Sequence, residues 1–304
     1  MALIRIGTRS SQLAMAQADL VAQVLRGKGY DAELVAIETR GDQVQDRALH
    51  QIGGKGLFTE ELERSLLSDA IDIAVHSLKD LPTELPSGLT IGAYALPEDR
   101  RDVLLSSGLG VAALPPGAVV GTSSLRRTAF LKAMRADLKV KPVRGNLQTR
   151  VKKWRAGEVD ALLLAAAGVL RMGWGDLVSE LLNPELMVPS PGQGILAVEV
   201  ASHRQDLATV IAALNDSNAE TAAVAERAVM RELGGSCQVP LGAFAEWTSP
   251  DSLILRAQVA SLDGTRMLRG EVRFLPADAL TAGLSLGRDL KRQGALRLIE
   301  IAGG

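Results

Sequence analysis

Ile71-Asp72-Ile73-Ala74-Val75-His76-Ser77-Leu78-Lys79-Asp80-Leu81-Pro82 is the stretch that decides the fold. Residues 71–75 read as a strand buried on both faces, the pattern of a parallel sheet covered by helices. Polar residues and a proline follow at once, so the carboxyl end of this strand opens into a turn. In open α/β sheets, ligands gather at such ends. His76 points from the buried run and reads as structural. Asp80 is the chemical candidate: a carboxylate there can accept N–H hydrogen bonds or stabilise a cation. It reads equally well as a turn aspartate paired with Lys79.

Upstream, residues 3–6 read as a short strand, and Gly7-Thr8-Arg9-Ser10-Ser11 turns it into a helix. Leu13, Ala16, Leu20, Val21, Val24 and Leu25 recur at helical spacing until Gly27 and Gly29 stop it. Residues 34–38 are a second strand. A long polar segment over 41–56 includes Gly53-Gly54-Lys55-Gly56, which lacks the spacing of a P-loop. Thr59 caps a helix with Glu60, Glu61 and Glu63 in its first turn, where the dipole favours acids. Residues 89–94 form a further strand.

Residues 97–102 read as a crossing to a second unit of the same style. Val119-Val120 is a strand, and Gly121-Thr122-Ser123-Ser124 leads into a helix with Arg126 and Arg127. Residues 140–143 are a strand ending at Arg144-Gly145-Asn146, followed by a helix with Arg150, Lys152, Lys153 and Arg155. Residues 161–164 are a buried strand, with Arg171 beyond the helical stretch after it. Strand and helix alternate, so both units are expected to be α/β with largely parallel sheets. The turns at 7–11 and 121–124 echo one another. Each offers unpaired helix N–H groups and hydroxyls, which bind anions or simply cap the helix. Arginines at strand ends pair bidentately with carboxylate or phosphate, so the set reads as a pocket for a ligand with several negative groups.

Pro189-Ser190-Pro191-Gly192-Gln193-Gly194 marks a second crossing. The G-x-G-x-x-A match at 192–197 follows prolines rather than a strand and reads as chance. Helices over about 206–214 and 218–233 follow. Then Leu253, Leu255, Ala257 and Val259, and Leu268, Gly270, Val272 and Phe274, flank Asp263-Gly264 as an antiparallel hairpin. Pro276 opens a last helix, and residues 296–301 are expected as a closing strand.

Composition bounds the rest. The 304 residues suit two or three domains. Apolar residues at 47% and charged residues at 23% are ordinary for a soluble globular protein. Aromatics at 3% leave the core to aliphatic side chains. A net charge of −1 argues against a general nucleic-acid binder. No charge-free apolar run is long enough to span a membrane, at about 18 residues. Met1-Ala2-Leu3-Ile4-Arg5-Ile6 lacks the pattern of a signal peptide. One cysteine allows no internal disulfide, which fits a reducing cytosol. His50, His76, His203 and that cysteine make no zinc pattern, so no metal is expected. The cysteine lies in Gly234-Gly235-Ser236-Cys237-Gln238-Val239-Pro240, a tight loop whose glycines let a bulky group approach the thiol.

Six motifs in order, 7–11, 53–58 (Gly-Gly-Lys-Gly-Leu-Phe), 75–82, 121–127, 144–146 and 234–240, resemble the porphobilinogen deaminase (hydroxymethylbilane synthase) family over residues 4–301. The resemblance implies a transferase of haem and tetrapyrrole biosynthesis. Such an enzyme condenses four porphobilinogen molecules head to tail, with loss of ammonia, on a dipyrromethane cofactor, and hydrolysis releases hydroxymethylbilane. Cys237 would carry the cofactor through a thioether. The catalytic group would be Asp80 with Arg9 and Lys79. The cofactor would also be held by Ser77, Lys79, Asp80, Thr122, Ser123, Ser124, Arg126, Arg127, Arg144 and Gly145. Substrate would meet Arg9, Ser11, Lys55, Phe58, Arg144, Asn146, Arg150, Arg171 and Gln193, with 41–56 as a mobile lid. The implied fold is two α/β domains of the type-II periplasmic-binding-protein kind, residues 1–96 with 195–214 and residues 97–194. A smaller α+β domain over 215–304 would carry the cysteine loop. A cytoplasmic monomer without nucleic-acid or membrane partners is expected. An anion-binding module would explain the arginines but not Cys237 or Asp80. A thiol hydrolase or redox enzyme would explain Cys237, but no partner histidine motif or second cysteine is present.

Overall fold

The computed structural model describes residues 3–39, 41, 59–234 and 239–303. The chain packs as two compact units, residues 1–98 with 194–220 and residues 99–193 with 221–304. The first stretch forms β1 (Leu3–Arg9), α1 (Gln12–Gly27), β2 (Asp31–Ile37), α2 (Glu60–Leu67), β3 (Ile73–Ser77) and β4 (Leu89–Ala95). The second forms β5 (Asp102–Leu105), β6 (Val119–Gly121), α3 (Leu125–Met134), β7 (Lys139–Lys141), α4 (Leu147–Arg155), β8 (Ala161–Ala165), α5 (Ala166–Arg171) and β9 (Glu180–Leu181). Then come β10 (Leu196–Ala201), α6 (Ala208–Leu214) and α7 (Ser217–Glu232). The chain ends with β11 (Leu241–Ser249), β12 (Ser252–Ala260), β13 (Met267–Phe274), α8 (Ala279–Arg292) and α9 (Ala295–Gly303).

The two α/β sheets share one topology. The first unit orders its strands β2-β1-β3-β10-β4, and the second β7-β6-β8-β5-β9. In each, the second strand of the order runs parallel to both neighbours, and the fourth runs antiparallel to both. The sequence echo between the two turns is therefore an echo of whole sheets, as expected of two similar α/β units. The sheets are mixed rather than largely parallel. A parallel neighbour needs a crossover connection, and β5 and β10 arrive straight from the two chain crossings without one.

Burial follows the sequence pattern in β3, whose first four residues are all buried. Helix α1 lays Ala18, Val21, Ala22 and Leu25 on this sheet, beside Ile4, Ile6, Ile73 and Val75. Each fully buried aliphatic side chain stabilises by about 1.5–3 kcal/mol. In the second unit, Leu104, Val120, Phe130, Leu131 and Leu163 form a core that also takes in Phe244 of β11 and Ala260 of β12. The C-terminal sheet, ordered β11-β12-β13, covers its other face with α7 and α8 through Ala225, Val229, Leu286 and Leu290.

Three expectations are corrected. Residues 296–301 lie in helix α9, not a strand: Ala295 and Leu298 are buried and Ile299 packs beside them, a helical spacing. A short apolar run does not distinguish the two states. Asp102, expected as the last residue of a crossing, instead opens a buried strand over 102–105. The hairpin is two-thirds of a three-stranded sheet, because β11 pairs along β12 from Leu241↔Val259 onward.

Candidate active site

In the first unit, β1 and β3 are parallel neighbours, so their carboxyl ends lie at one sheet edge. The β1 end supplies half-buried Arg9 and Ser11. Ser11 caps α1, its hydroxyl accepting from Ala14 N at 3.3 Å, while buried Thr8 donates to Ala14 O at 3.1 Å. Part of the expected binding role of Ser11 is therefore plain capping. The β3 end supplies Ser77, then a single helical turn, Leu78–Asp80. Gln17 of α1, only 4% exposed, donates from Nε2 to Ser77 Oγ at 3.1 Å. This fixes the last strand residue while Leu78 is buried beneath the turn. Lys79 is half-buried and Asp80 exposed. Asp80 thus has a rigid base and an open carboxylate, at the edge that also carries Arg9.

In the second unit, β7, β6 and β8 are parallel neighbours with their carboxyl ends together. Thr122 Oγ1 accepts from Ser124 N at 3.2 Å, Ser123 Oγ donates to Val143 O at 2.9 Å, and Ser124 caps α3. Beyond β7, half-buried Arg144 precedes Gly145, whose φ of 101° suits glycine. Asn146 caps α4 by accepting from Thr149 N at 2.9 Å. Arg150 Nε donates to Gly145 O at 2.8 Å, holding that turn from the helix behind it. Arg171 ends α5, half-buried. Two capped helix N-termini, hydroxyls and arginines at one sheet edge suit a ligand bearing carboxylates.

Arg126 and Arg127 have a different environment from the expected one. Both are buried and both bind Asp102. Arg126 donates to Asp102 Oδ2 at 2.6 Å and to Val188 O at 2.8 Å, and Arg127 Nε donates to Asp102 Oδ1 at 2.9 Å. Burial pushes the Asp102 carboxyl up, but the Arg126 and Arg127 guanidiniums outweigh it and hold it well below the usual carboxylate range. Gln193, expected to touch substrate, is fully enclosed. Its amide donates to Arg100 O at 3.0 Å and to Asp102 Oδ1 at 3.0 Å. The structure therefore gives Gln193 a positioning place beneath the arginine pair.

Sequence reasoning missed Asp102 and also Glu226. Glu226 of α7 is fully buried and accepts from Gly192 N at 2.8 Å, Ala245 N at 2.7 Å and the Arg100 guanidinium. Burial raises its carboxyl pKa against the pull of Arg100. Arg100 in turn donates to Gln193 O at 3.0 Å and covers the Phe244 ring at 4.9 Å. A charged residue opening an apolar run, as in Asp102-Val103-Leu104-Leu105, was the available signal for the first. Nothing local marks the second. Lys55, Phe58, Cys237 and nearly all of 41–56 lie outside the described residues. Among the described residues, no cluster of His, Cys, Asp and Glu is arranged to hold a metal, and no helix is long and apolar enough to cross a membrane.

Solved structures with a similar backbone include the methionine-binding protein MetQ, 12% identical, with a TM-score of 0.42 over 69% of this chain and 89% of that one. Immunogenic lipoprotein A from Vibrio vulnificus is 12% identical, with a TM-score of 0.41 over 72% of this chain and 97% of that one. Residues 4–209 match the porphobilinogen deaminase dipyromethane cofactor binding domain, and residues 221–292 match the porphobilinogen deaminase C-terminal domain. Porphobilinogen deaminase of Syntrophomonas wolfei is 46% identical over 97% of this chain and 97% of its own length. Those of Burkholderia thailandensis and Geobacillus kaustophilus are also 46% identical, covering 98% of this chain with 92% and 96% of their own lengths. The chain belongs to the porphobilinogen deaminase family, transferases that polymerise porphobilinogen on a dipyrromethane cofactor.

Proposed function

We propose that Asp80 is the catalytic carboxylate of this polymerisation, with Arg9 and Lys79 beside it. The observation that carries the reading is the β3 end: an exposed aspartate on a buried strand, anchored through Ser77 to Gln17, at the edge that holds Arg9. As ammonia leaves porphobilinogen, positive charge develops on the pyrrole ring. A fixed carboxylate holds the pyrrole N–H and stabilises that charge at the moment it forms. The dipyrromethane supplies the pyrrole carbon onto which the chain grows.

Cofactor carboxylates are held by Thr122, Ser123, Ser124, Arg126, Arg127, Arg144 and Gly145, with Ser77 and Lys79, while Asp80 accepts from the cofactor's pyrrole N–H groups. For Arg126 and Arg127 this means sharing N–H groups already directed at Asp102. Substrate carboxylates are held by Arg9, Ser11, Arg144, Asn146, Arg150 and Arg171, with Lys55 completing the set from outside the described residues, where Phe58 stacks on a pyrrole ring. Cys237 tethers the cofactor. The separate three-stranded sheet supports reading residues 215–304 as a third domain, beside 1–96 with 195–214 and 97–194. A cytoplasmic monomer without nucleic-acid partners completes the proposal.

Intact mass spectrometry tests the tether. Active protein is expected to exceed its sequence mass by two pyrrole units and to turn pink with Ehrlich's reagent, and Cys237→Ala to lose both signals. An unmodified mass in active protein overturns the assignment.

A further inference from the structure

Glu63, His76 and Glu199 form a buried titratable cluster in the first unit that no step above uses. His76 ends the buried part of β3, and Glu199 sits on antiparallel β10. The register pairs His76 with Ala197, so Glu199, two residues along, is its diagonal neighbour on the same sheet face. A register shift between Val198 and Glu199 on the β4 side re-aims the strand there. His76 Nε2 lies 3.0 Å from Glu199 Oε2, with the two side chains 5% and 0% exposed. Helix α2 covers this face with Leu62, Leu66 and Glu63, the last 7% exposed. Leu62, Leu66, Ala74 and Ala201 line the surroundings. Among the described residues, neither Glu199 oxygen nor His76 Nε2 has a well-aligned hydrogen bond.

We propose that Glu63 is kept as the carboxylic acid beside the buried His76–Glu199 pair, and that this cluster positions the turn bearing Asp80. Two carboxylates and an imidazole enclosed together cannot all be ionised without leaving an uncompensated buried charge. One proton on Glu63 removes that excess. Burial raises the Glu63 carboxyl, and Glu199 and Glu60 add to this; the Thr59 hydroxyl and His76 oppose it. Two arginines on the described packed elements are already paired. Arg64 lies 3.5 Å from Glu60 and 3.9 Å from Glu61, and Arg5 of β1 holds Asp72 at 2.9 Å. Strand β4, Leu-Thr-Ile-Gly-Ala-Tyr-Ala, carries no charge.

The positioning role follows from strand alternation. Ser77 faces α1 and is tied to Gln17, while His76 faces α2 and meets Glu199. The last two residues of β3 are thus gripped from opposite faces just before Lys79 and Asp80. This half of the inference rests on the role proposed for Asp80; the proton on Glu63 does not.

Two variants of the full-length, cofactor-loaded enzyme test both halves. Glu63→Gln mimics the acid. A carboxyl raised by folding contributes stability at low pH that is lost as pH rises through the raised value. Glu63→Gln is therefore expected to melt with wild type near about pH 5, to melt several degrees higher near about pH 9, and to keep kcat within about twofold. Glu199→Gln removes the anion facing His76. It is expected to lower kcat about tenfold with KM within about twofold, and to change the pH profile of kcat. Equal melting of Glu63→Gln and wild type at both pH values, or a lower melt at high pH, overturns the proton assignment. Wild-type kcat and pH profile in Glu199→Gln overturns the positioning. If Asp80→Asn turned over normally, the reading of Asp80 would fail while the melting comparison still judged the cluster.

Discussion

Asp80 stands exposed on a turn whose base is fixed, so replacing its charge should leave the scaffold alone. Asp80→Asn is expected to fold, to carry its cofactor and to bind porphobilinogen, but to lose about 100-fold or more in kcat. Single-turnover kinetics with wild-type rates would remove its role. Asp102 makes the opposite case. It accepts from two buried guanidiniums, and an asparagine there would leave that charge uncompensated. Asp102→Asn is expected to destabilise by about 3 kcal/mol in urea titration at neutral pH. Because folding lowers the Asp102 carboxyl pKa, its contribution is present above the unfolded value of about 4 and fades as pH falls below it. The gap between wild type and Asp102→Asn should shrink in acid. The places of Asp80, Arg9 and Arg144 at or beyond strand ends were legible because these residues follow apolar runs. The partners of Arg126 and Arg127 were not, since Asp102 and Gln193 lie 24 and 66 residues away from them in sequence. Only the folded sheet brings them together.

At the scale of elements, alternation of apolar runs with capped helices gave the two α/β units, and the Asp263-Gly264 turn gave the β12–β13 hairpin. What failed was direction and state. No local signal says that β5 and β10 enter their sheets antiparallel, and α9 is too short for periodicity to speak. The hairpin turn also has a tertiary role that its sequence hides. Gly264 adopts a φ of 74°, and a side-chain carbon there would lie 2.4 Å from Ala133 N near the end of α3. Gly264→Ala is expected to destabilise by about 1–3 kcal/mol, from backbone strain and displacement of that contact. A urea midpoint within error of wild type would show that the two segments yield freely.

At the scale of the molecule, three sheets were foreseen, but the way they share cores was not. Phe244 and Ala260 of the C-terminal sheet are buried in the same cluster as Phe130 and Leu131 of α3. Residues 99–193 and 221–304 are therefore expected to unfold in one step. The three tryptophans report on this, Trp154 and Trp174 from one part and Trp247 from the other. Variants keeping Trp247 alone, or Trp154 and Trp174 alone, should give one common urea midpoint, and separated midpoints would show independent folding.

The Glu226 junction carries a practical lesson for recombination among relatives. A carboxylate contributed by the last third of the chain completes the backbone at Gly192 and neutralises Arg100, both from the middle third. Chimaeras that exchange residues 221–304 keep this junction only where the incoming segment supplies the carboxylate that Arg100 and Gly192 meet at position 226. Hybrids that place an apolar side chain there are expected to be poorly soluble, with the Arg100 charge left unmatched.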